Sequence, residues 1–409
     1  MKRRQFLAST AVSGGMLMLG GMGKSMAATS VPAWVSNLPL WQWYPIPGTA
    51  LSSVDPAVRP LGVTGPRSKM ETWCGATLKR NGSVYMLGAA GGHQDYAGNE
   101  VDALQLNSDN PHWVQLRGPS PNSQIIDDPA QFYLDLKPSC THTYYATQYI
   151  NSLDRMLVIS SAGVYSHSGL YPAPPSNWAY LNSKRSFSFN TAAGDWDSPD
   201  YIAQYPGTGD WTACLCVKHP VTEDIYYSRN GGDGFYKWAA ATNRWTKLSN
   251  NTDGSWYAGT AIDPTRNRLL RVGRYDNPVG EVRDLNGNLI PVTFGGLGAS
   301  ALAIGGYPGV IYDEVNDRFL VFHNAGNTIN VLRVNPQTWF VDQPTFSGAA
   351  PGARPNGIQN SPQYVPELGG FVIANAYAGN VYFVRTTLTP MAAAPDTTPP
   401  PAPSGLTVS

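Results

Sequence analysis

The sequence predicts an all-β protein folded as a β-propeller, with six four-stranded blades around an axis and a ring closed by an N-terminal strand. Three observations predict it. Charged residues make up only 14% of the 409, while Gly (42), Pro (34), Tyr (22) and Trp (12) abound, which suits aromatic strands joined by many tight turns. A loose repeat runs through the middle of the chain: strand, turn, strand, Gly/Asn-rich loop, strand, and usually a Trp-bearing fourth strand. The last unit lacks that fourth strand, and residues 38–48 supply one that has no blade of its own.

In chain order, the first segment is an export signal. Residues 1–27 carry a basic head, an apolar Gly-rich stretch from Phe6 to Met22, and small residues at Ser25-Met26-Ala27 that fit a cleavage site. Arg3-Arg4 followed by Phe6-Leu7 resembles a twin-arginine signal. The mature protein is therefore expected in the periplasm or outside the cell. Removing residues 1–27 takes away Lys2, Arg3, Arg4 and Lys24 and no acid, leaving 24 basic against 28 acidic residues. There is no basic run to hold nucleic acid, and no later segment is apolar and long enough to span a bilayer, so neither nucleic acid nor membrane is an expected partner.

The propeller is expected over 38–386. Its first unit opens at Trp73, the second at His142, the third at Trp211, the fourth at Trp256, the fifth at Pro308 and the sixth at Pro355. The turns "HPVTED", "DPTRNR" and "DEVNDR" join first to second strands in the same way each time, with Asp, Asn and Pro supplying the turn chemistry. Pairing "LPLWQWYPIPG" with the sixth unit leaves no open sheet edge. The longer intervals after the first and second openings leave room for a seventh blade; they are read as loop insertions at 118–139 and 163–184. Residues 387–409 form a Pro-rich linker, and its last seven resemble the opening strand of a fibronectin type III domain. Cys74, Cys140, Cys214 and Cys216 follow no disulfide framework and are read as buried thiols.

The double glycine Gly91-Gly92 with the later Trp113, and Gly231-Gly232 with Tyr236 and Trp245, resemble the kelch and galactose-oxidase-like propellers. "GGHQDYAGNEVDAL" followed by "HTYYATQYINSLDRML" further resembles exported bacterial kelch-type proteins with fibronectin-like tails. The resemblance implies the propeller fold; propellers host many unrelated activities, so it says little about chemistry.

Connectivity sorts the loops. With strands labelled A to D from the axis outward, antiparallel order puts the B-to-C loops and the D-to-A connections on one end of the ring. Four of the six histidines fall there: His93, His142, His167 and His323. So do Tyr96, Asn99, Tyr144, Trp211, Arg229, Trp256, Tyr257, Arg274, Asn324 and Asn360. The A-to-B turns of the other end read as ordinary surface. A rim enriched in imidazoles, phenols and guanidiniums marks a site at the mouth of the central funnel. Aromatic rings there match the C–H faces of pyranoses.

The expected partner is a glycan or oligosaccharide. The favoured reaction is polysaccharide β-elimination on a uronic-acid glycan, which needs a base for the C5 proton, an acid for the leaving oxygen and a cation for the carboxylate. His93 or His142 is the candidate base, Tyr96 or Tyr144 the acid, and Arg229 or Arg274 the carboxylate clamp. Asn99, Trp211, Trp256, Tyr257, His323, Asn324 and Asn360 are candidate substrate contacts. A non-catalytic glycan-binding or adhesion module is the alternative. A copper-radical oxidase is a third reading, suggested by the galactose-oxidase resemblance; the Cys–Tyr cross-link of that family is not evident here. No cofactor is predicted, and the residue types at the rim leave calcium, zinc and copper open as possible ions.

Overall fold

A computed structural model describes residues 31–92, 95–127, 132–159, 169–173, 175–176, 185–208, 210–251, 257–274 and 278–392, with no side chain described for 210–214 or 230. The signal at 1–27 and the fibronectin-like end of the tail lie outside these residues, as do His93, His167 and Trp256 and the side chain of Trp211.

Six antiparallel sheets form the blades. Their innermost strands begin at Thr77, Thr147, Asp210, Ala258, Gly309 and Gln363. Strands A to D follow in chain order within blades 1 to 5, so each blade is a meander and its loops alternate between the two ends. The fourth strand of blade 6 is Tyr44–Pro45, paired antiparallel with Tyr382–Arg385 through Tyr44↔Phe383 and Pro45↔Tyr382. The ring thus closes as the sequence predicts, with six blades among the described residues. Blade 5 gains an outer fifth strand, Gly295–Gly296, parallel to Phe340–Asp342; it is contributed by the irregular stretch that follows blade 4.

The core lies between blades rather than within one layer. Strand side chains alternate across the sheet, so one strand feeds two neighbours. In blade 5, Phe319 and Val321 pack toward blade 4 with Leu270 and Val282, whereas Leu320 and Phe322 pack toward blade 6 with Phe371 and Ile373. Every junction has such a cluster, which is why the strands read as near-continuous apolar runs. The 118–139 insertion makes a further small core, where Ile125, Ile126 and Tyr133 surround Cys140. Cys74, Cys140 and Cys216 are buried free thiols.

All six A-to-B turns end in a residue with left-handed backbone: Ser83, Asp154, Glu223, Asn267, Asp317 and Gly369, with φ between 51° and 65°. The repeated turn text therefore encodes one repeated geometry. These turns also link the blades, so they are more than the ordinary surface the sequence suggests. Lys79 reaches Asp154 at 2.5 Å, Glu223 accepts from the backbone N–H groups of Asn151 (2.7 Å) and Ser152 (2.8 Å), and His219 meets Asn267 at 3.1 Å. Arg266 makes a two-point pair with Asp317 at 2.8 and 2.7 Å. Thr386 donates to Asp313 at 2.9 Å, and Arg80 closes the circuit by pairing with Glu367 (3.1 Å) and, across the axis, Glu314 (3.2 Å).

Candidate functional site

The opposite end is built differently. The D-to-A connections interlock there through backbone bonds. The Tyr144 amide donates to the Trp73 carbonyl (2.8 Å), the Tyr145 hydroxyl to the Pro308 carbonyl (3.0 Å), and the amides of Ile358 and Gln359 both donate to the Tyr307 carbonyl (2.9 and 3.0 Å). Arg354 is buried and donates to the carbonyls of Met70, Cys74 and Ile358, tying blade 6 to blade 1. Asn324 clamps the Arg354 backbone in both directions, at 2.9 and 3.0 Å. Asn360 donates to the carbonyls of Ala76 (3.0 Å) and Thr147 (2.8 Å), so it joins three blades near the axis.

Meeting these bonds turns three tyrosines into left-handed backbone: Tyr144 (φ 41°), Tyr257 (φ 65°) and Tyr307 (φ 59°). Such a residue costs on the order of 1–2 kcal/mol relative to glycine. Their rings gather. Tyr257 and Tyr307 lie 4.2 Å apart by ring centroid, and Tyr144 is 6.2 Å from Tyr307 and 6.4 Å from Tyr257. Tyr144 is buried; Tyr257 and Tyr307 remain half open. Arg274, again in a conformation that glycine prefers (φ 152°), follows Gly273, which packs against Pro308 and the Tyr257 carbonyl.

His142 sits on the other side of Tyr144, 5.8 Å away by centroid and 4.8 Å from the half-buried Trp73. Its Nε2 is 3.4 Å from Asp95 Oδ2. Burial lowers the His142 pKa below the ordinary histidine value, against the pull of Asp95. The double glycine explains how the two loops meet. Gly91 and Gly92 run against Thr141 and His142, and a Cβ on Gly92 (φ 80°) would stand 2.7 Å from the His142 amide.

Behind this pair lies a buried charge cluster. Lys69 Nζ is 2.6 Å from Asp102 and 3.2 Å from Glu100, and Tyr96 donates to Glu100 at 2.8 Å. Burial pushes the Asp102 carboxyl up to about 6 although Lys69 opposes it. Burial pulls Lys69 down, but the two carboxylates outweigh it and hold its pKa above the ordinary value. Tyr96 is fully buried with its phenol pKa raised, mainly by burial and then by Glu100. Asn99 uses its side chain on Ser120, the Pro138 carbonyl and Arg117.

The structure thus brings together His142, Tyr144 and Tyr257 among the sequence candidates, and adds Trp73, Asp95 and Tyr307, while the Arg274 backbone follows the Gly273 that packs on the Tyr257 carbonyl. Tyr96 and Asn99 belong to the packing of the first B-to-C loop. Arg229 is buried with its guanidinium 4.4 Å from the Tyr205 ring centroid, in blade 3. His323 bonds locally to the Asn324 carbonyl (3.2 Å) and Asn330 (3.3 Å), its pKa lowered by burial. Tyr307 escapes a sequence search because a tyrosine before a strand looks like strand; its one signal is its place two residues before Gly309, matching Tyr144 three before Thr147. Among the described residues no group of three or more His, Cys, Asp or Glu is placed to hold a metal ion, and no helix is long and apolar enough to cross a membrane.

No protein-family model matches the chain. No curated protein matches it either. Solved structures similar to it include an auxiliary nutrient binding protein from Bacteroides ovatus ATCC 8483 (12% identity, 84% of this chain and 76% of that one, TM-score 0.45). Others are TolB from Acinetobacter baumannii (11%, 71% and 62%, TM-score 0.38) and a nidogen/laminin complex (10%, 68% and 83%, TM-score 0.36). The class the fold defines is the six-bladed β-propeller.

Proposed function

We propose that the protein is an exported propeller, periplasmic or secreted, that binds an acidic glycan at the D-to-A mouth. The observation that carries this reading is the trio of tyrosines held in costly left-handed backbone. Strained residues persist where the surrounding structure over-determines them, and they cluster at ligand sites. Tyr257 and Tyr307 present half-open aromatic faces to stack on sugar C–H faces, with hydroxyls at their tips for hydrogen bonding. Arg274, which follows Gly273 in the chain, supplies a cation suited to a uronate carboxylate. The test is calorimetry of the mature protein against polygalacturonate, alginate and hyaluronan, with neutral dextran as control. Saturable binding of a polyuronate but not of dextran supports the proposal; equal binding of both, or of neither, overturns it.

A second reading, β-elimination on the same uronate glycan, is favoured by one observation. His142 is paired with Asp95 and adjacent to Tyr144, the set of groups that an acid–base pair requires, and burial favours its neutral form. His142 would take the C5 proton, Tyr144 would protonate the leaving oxygen, and Arg274 would offset charge on the carboxylate. Both His142 and Tyr144 are buried, so catalysis requires the mouth to open around them, whereas binding at Tyr257 and Tyr307 does not. Release of unsaturated uronate, followed by ultraviolet absorbance and lost in both His142→Ala and Tyr144→Phe, is the expected result for a lyase. Binding without that product leaves the protein a glycan-binding module.

A further inference from the structure

The strongest unexplained feature lies at the other end of the axis. The innermost strands enclose a cavity of about 130 Å³ that opens near the A-to-B turns. A water occupies roughly 10–15 Å³ on this measure, so the space suits a molecule of several heavy atoms. Lys218, Thr260, Gln148, Arg80, Glu314 and Val310 are among the residues lining it.

Lys218 and Thr260 on its wall are under-used. Lys218 donates one hydrogen bond, to the Tyr149 carbonyl at 2.5 Å, and among the described residues makes no ion pair. An ammonium withdrawn from water with no carboxylate in direct contact is costly, and Glu223 and Glu314 act on it only from a distance. Desolvation accordingly holds its pKa below the ordinary lysine value, with Glu223 pulling the other way. The Thr260 hydroxyl oxygen is buried and has no hydrogen-bond partner among the described residues. The Tyr364 hydroxyl on the same wall also has no hydrogen-bond partner among the described residues, whereas the wall's amides and guanidinium are engaged. Gln148 donates to the Tyr145 and Cys216 carbonyls, Asn360 to those of Ala76 and Thr147, and Gln363 to those of Ala76 and Asn360. Arg80 is already paired with Glu314 and Glu367.

We infer that this axial cavity binds a small monocarboxylate of two or three carbons, its carboxylate held by the Lys218 ammonium and the Thr260 hydroxyl. One negative charge answers Lys218; a second would face Glu314 at the same cavity and Glu367 beyond it. Val217, Ile262 and Val310 give a short carbon chain an apolar wall. The site is independent of the glycan mouth and stands or falls separately.

The experiment is titration of the full mature protein with acetate and glycolate by calorimetry and thermal unfolding, using acetamide, chloride and sulfate as controls. Saturable one-to-one binding of acetate or glycolate is expected, with none of acetamide and with sulfate weaker by about tenfold or more. Lys218→Met should weaken the carboxylate by at least about tenfold, and Thr260→Val by a few-fold; Thr260→Val keeps the test usable if Lys218→Met does not fold. No saturable binding to the wild type overturns the inference. So does chloride or sulfate binding as tightly as acetate, or unchanged acetate affinity in a folded Lys218→Met or Thr260→Val variant.

Discussion

The two ends of this ring solve the same backbone problem with different residues. At the A-to-B end, the chain turns into strand B through a left-handed residue in each blade, and five of the six are Ser, Asp, Glu or Asn, with Gly in the last. Asp and Asn tolerate that conformation because their side chains bond locally: Asp263 and Asp313 each cap two following backbone N–H groups in the same turns. At the D-to-A mouth the same region is filled by Tyr144, Tyr257 and Tyr307, residue types that do not favour it. The first end is optimised for assembly. The second retains aromatic side chains against backbone preference, and that points to use of the rings by a ligand.

The largest expected effect tests whether the mouth is nonetheless a structural unit. Arg354→Ala removes donors from several buried carbonyls at once. With hydrogen bonds to charged groups worth about 1.5–3 kcal/mol each, the loss should reach about 3 kcal/mol or more by urea unfolding. A change under about 1 kcal/mol would separate the interlocked connections from stability and weaken the comparison.

Next is pH. Asp102, raised to about 6 by burial, binds a proton more tightly folded than unfolded. Its contribution is fully present below the unfolded value near 4 and is lost as pH rises to about 6, on the order of 2–3 kcal/mol. Asp102→Asn should flatten that decline. At the other end Asp317, lowered to about 2 chiefly by its bonds to Arg266, has the opposite sign: its support is present above pH 4 and fades toward pH 2. Unfolding midpoints measured from pH 3 to 7 check both slopes.

A smaller effect sharpens the backbone contrast directly. Gly369→Ala, at φ 65°, should cost about 1–2 kcal/mol at the turn end. Tyr257→Gly relieves a comparable strain at the mouth while losing the contact with Tyr307, so its net stability change should stay within about 1 kcal/mol. Calorimetric unfolding of the two variants distinguishes them.

The blades and their closure were legible in the sequence because both depend on local rules. Repeated Asp/Asn turns mark the A-to-B hairpins, and the orphan strand within residues 38–48 fits the sixth blade, which lacks a fourth strand. That the B-to-C loops and D-to-A connections share one end was legible too, since it follows from antiparallel order alone. What could not be read was which of the polar groups there meet. His142 and Asp95 are 47 residues apart and meet only because Gly91 and Gly92 allow close approach. Arg229 stacks on Tyr205, which lies in the connection between blades and carries no sign of that contact. Tyr307 is set by a backbone conformation that its residue type disfavours, and propensity reasoning points away from it. The turns of the far end read as surface because their ion pairs join blades distant in sequence, such as Arg80 with Glu314.

The central claim is that the mouth tyrosines serve a ligand rather than the fold. It is tested most directly by comparing polyuronate affinity and unfolding free energy in a Tyr257→Ala/Tyr307→Ala double variant. The account predicts at least about a tenfold loss of affinity with stability lowered by less than about 2 kcal/mol. Unchanged affinity in the folded double variant would contradict it.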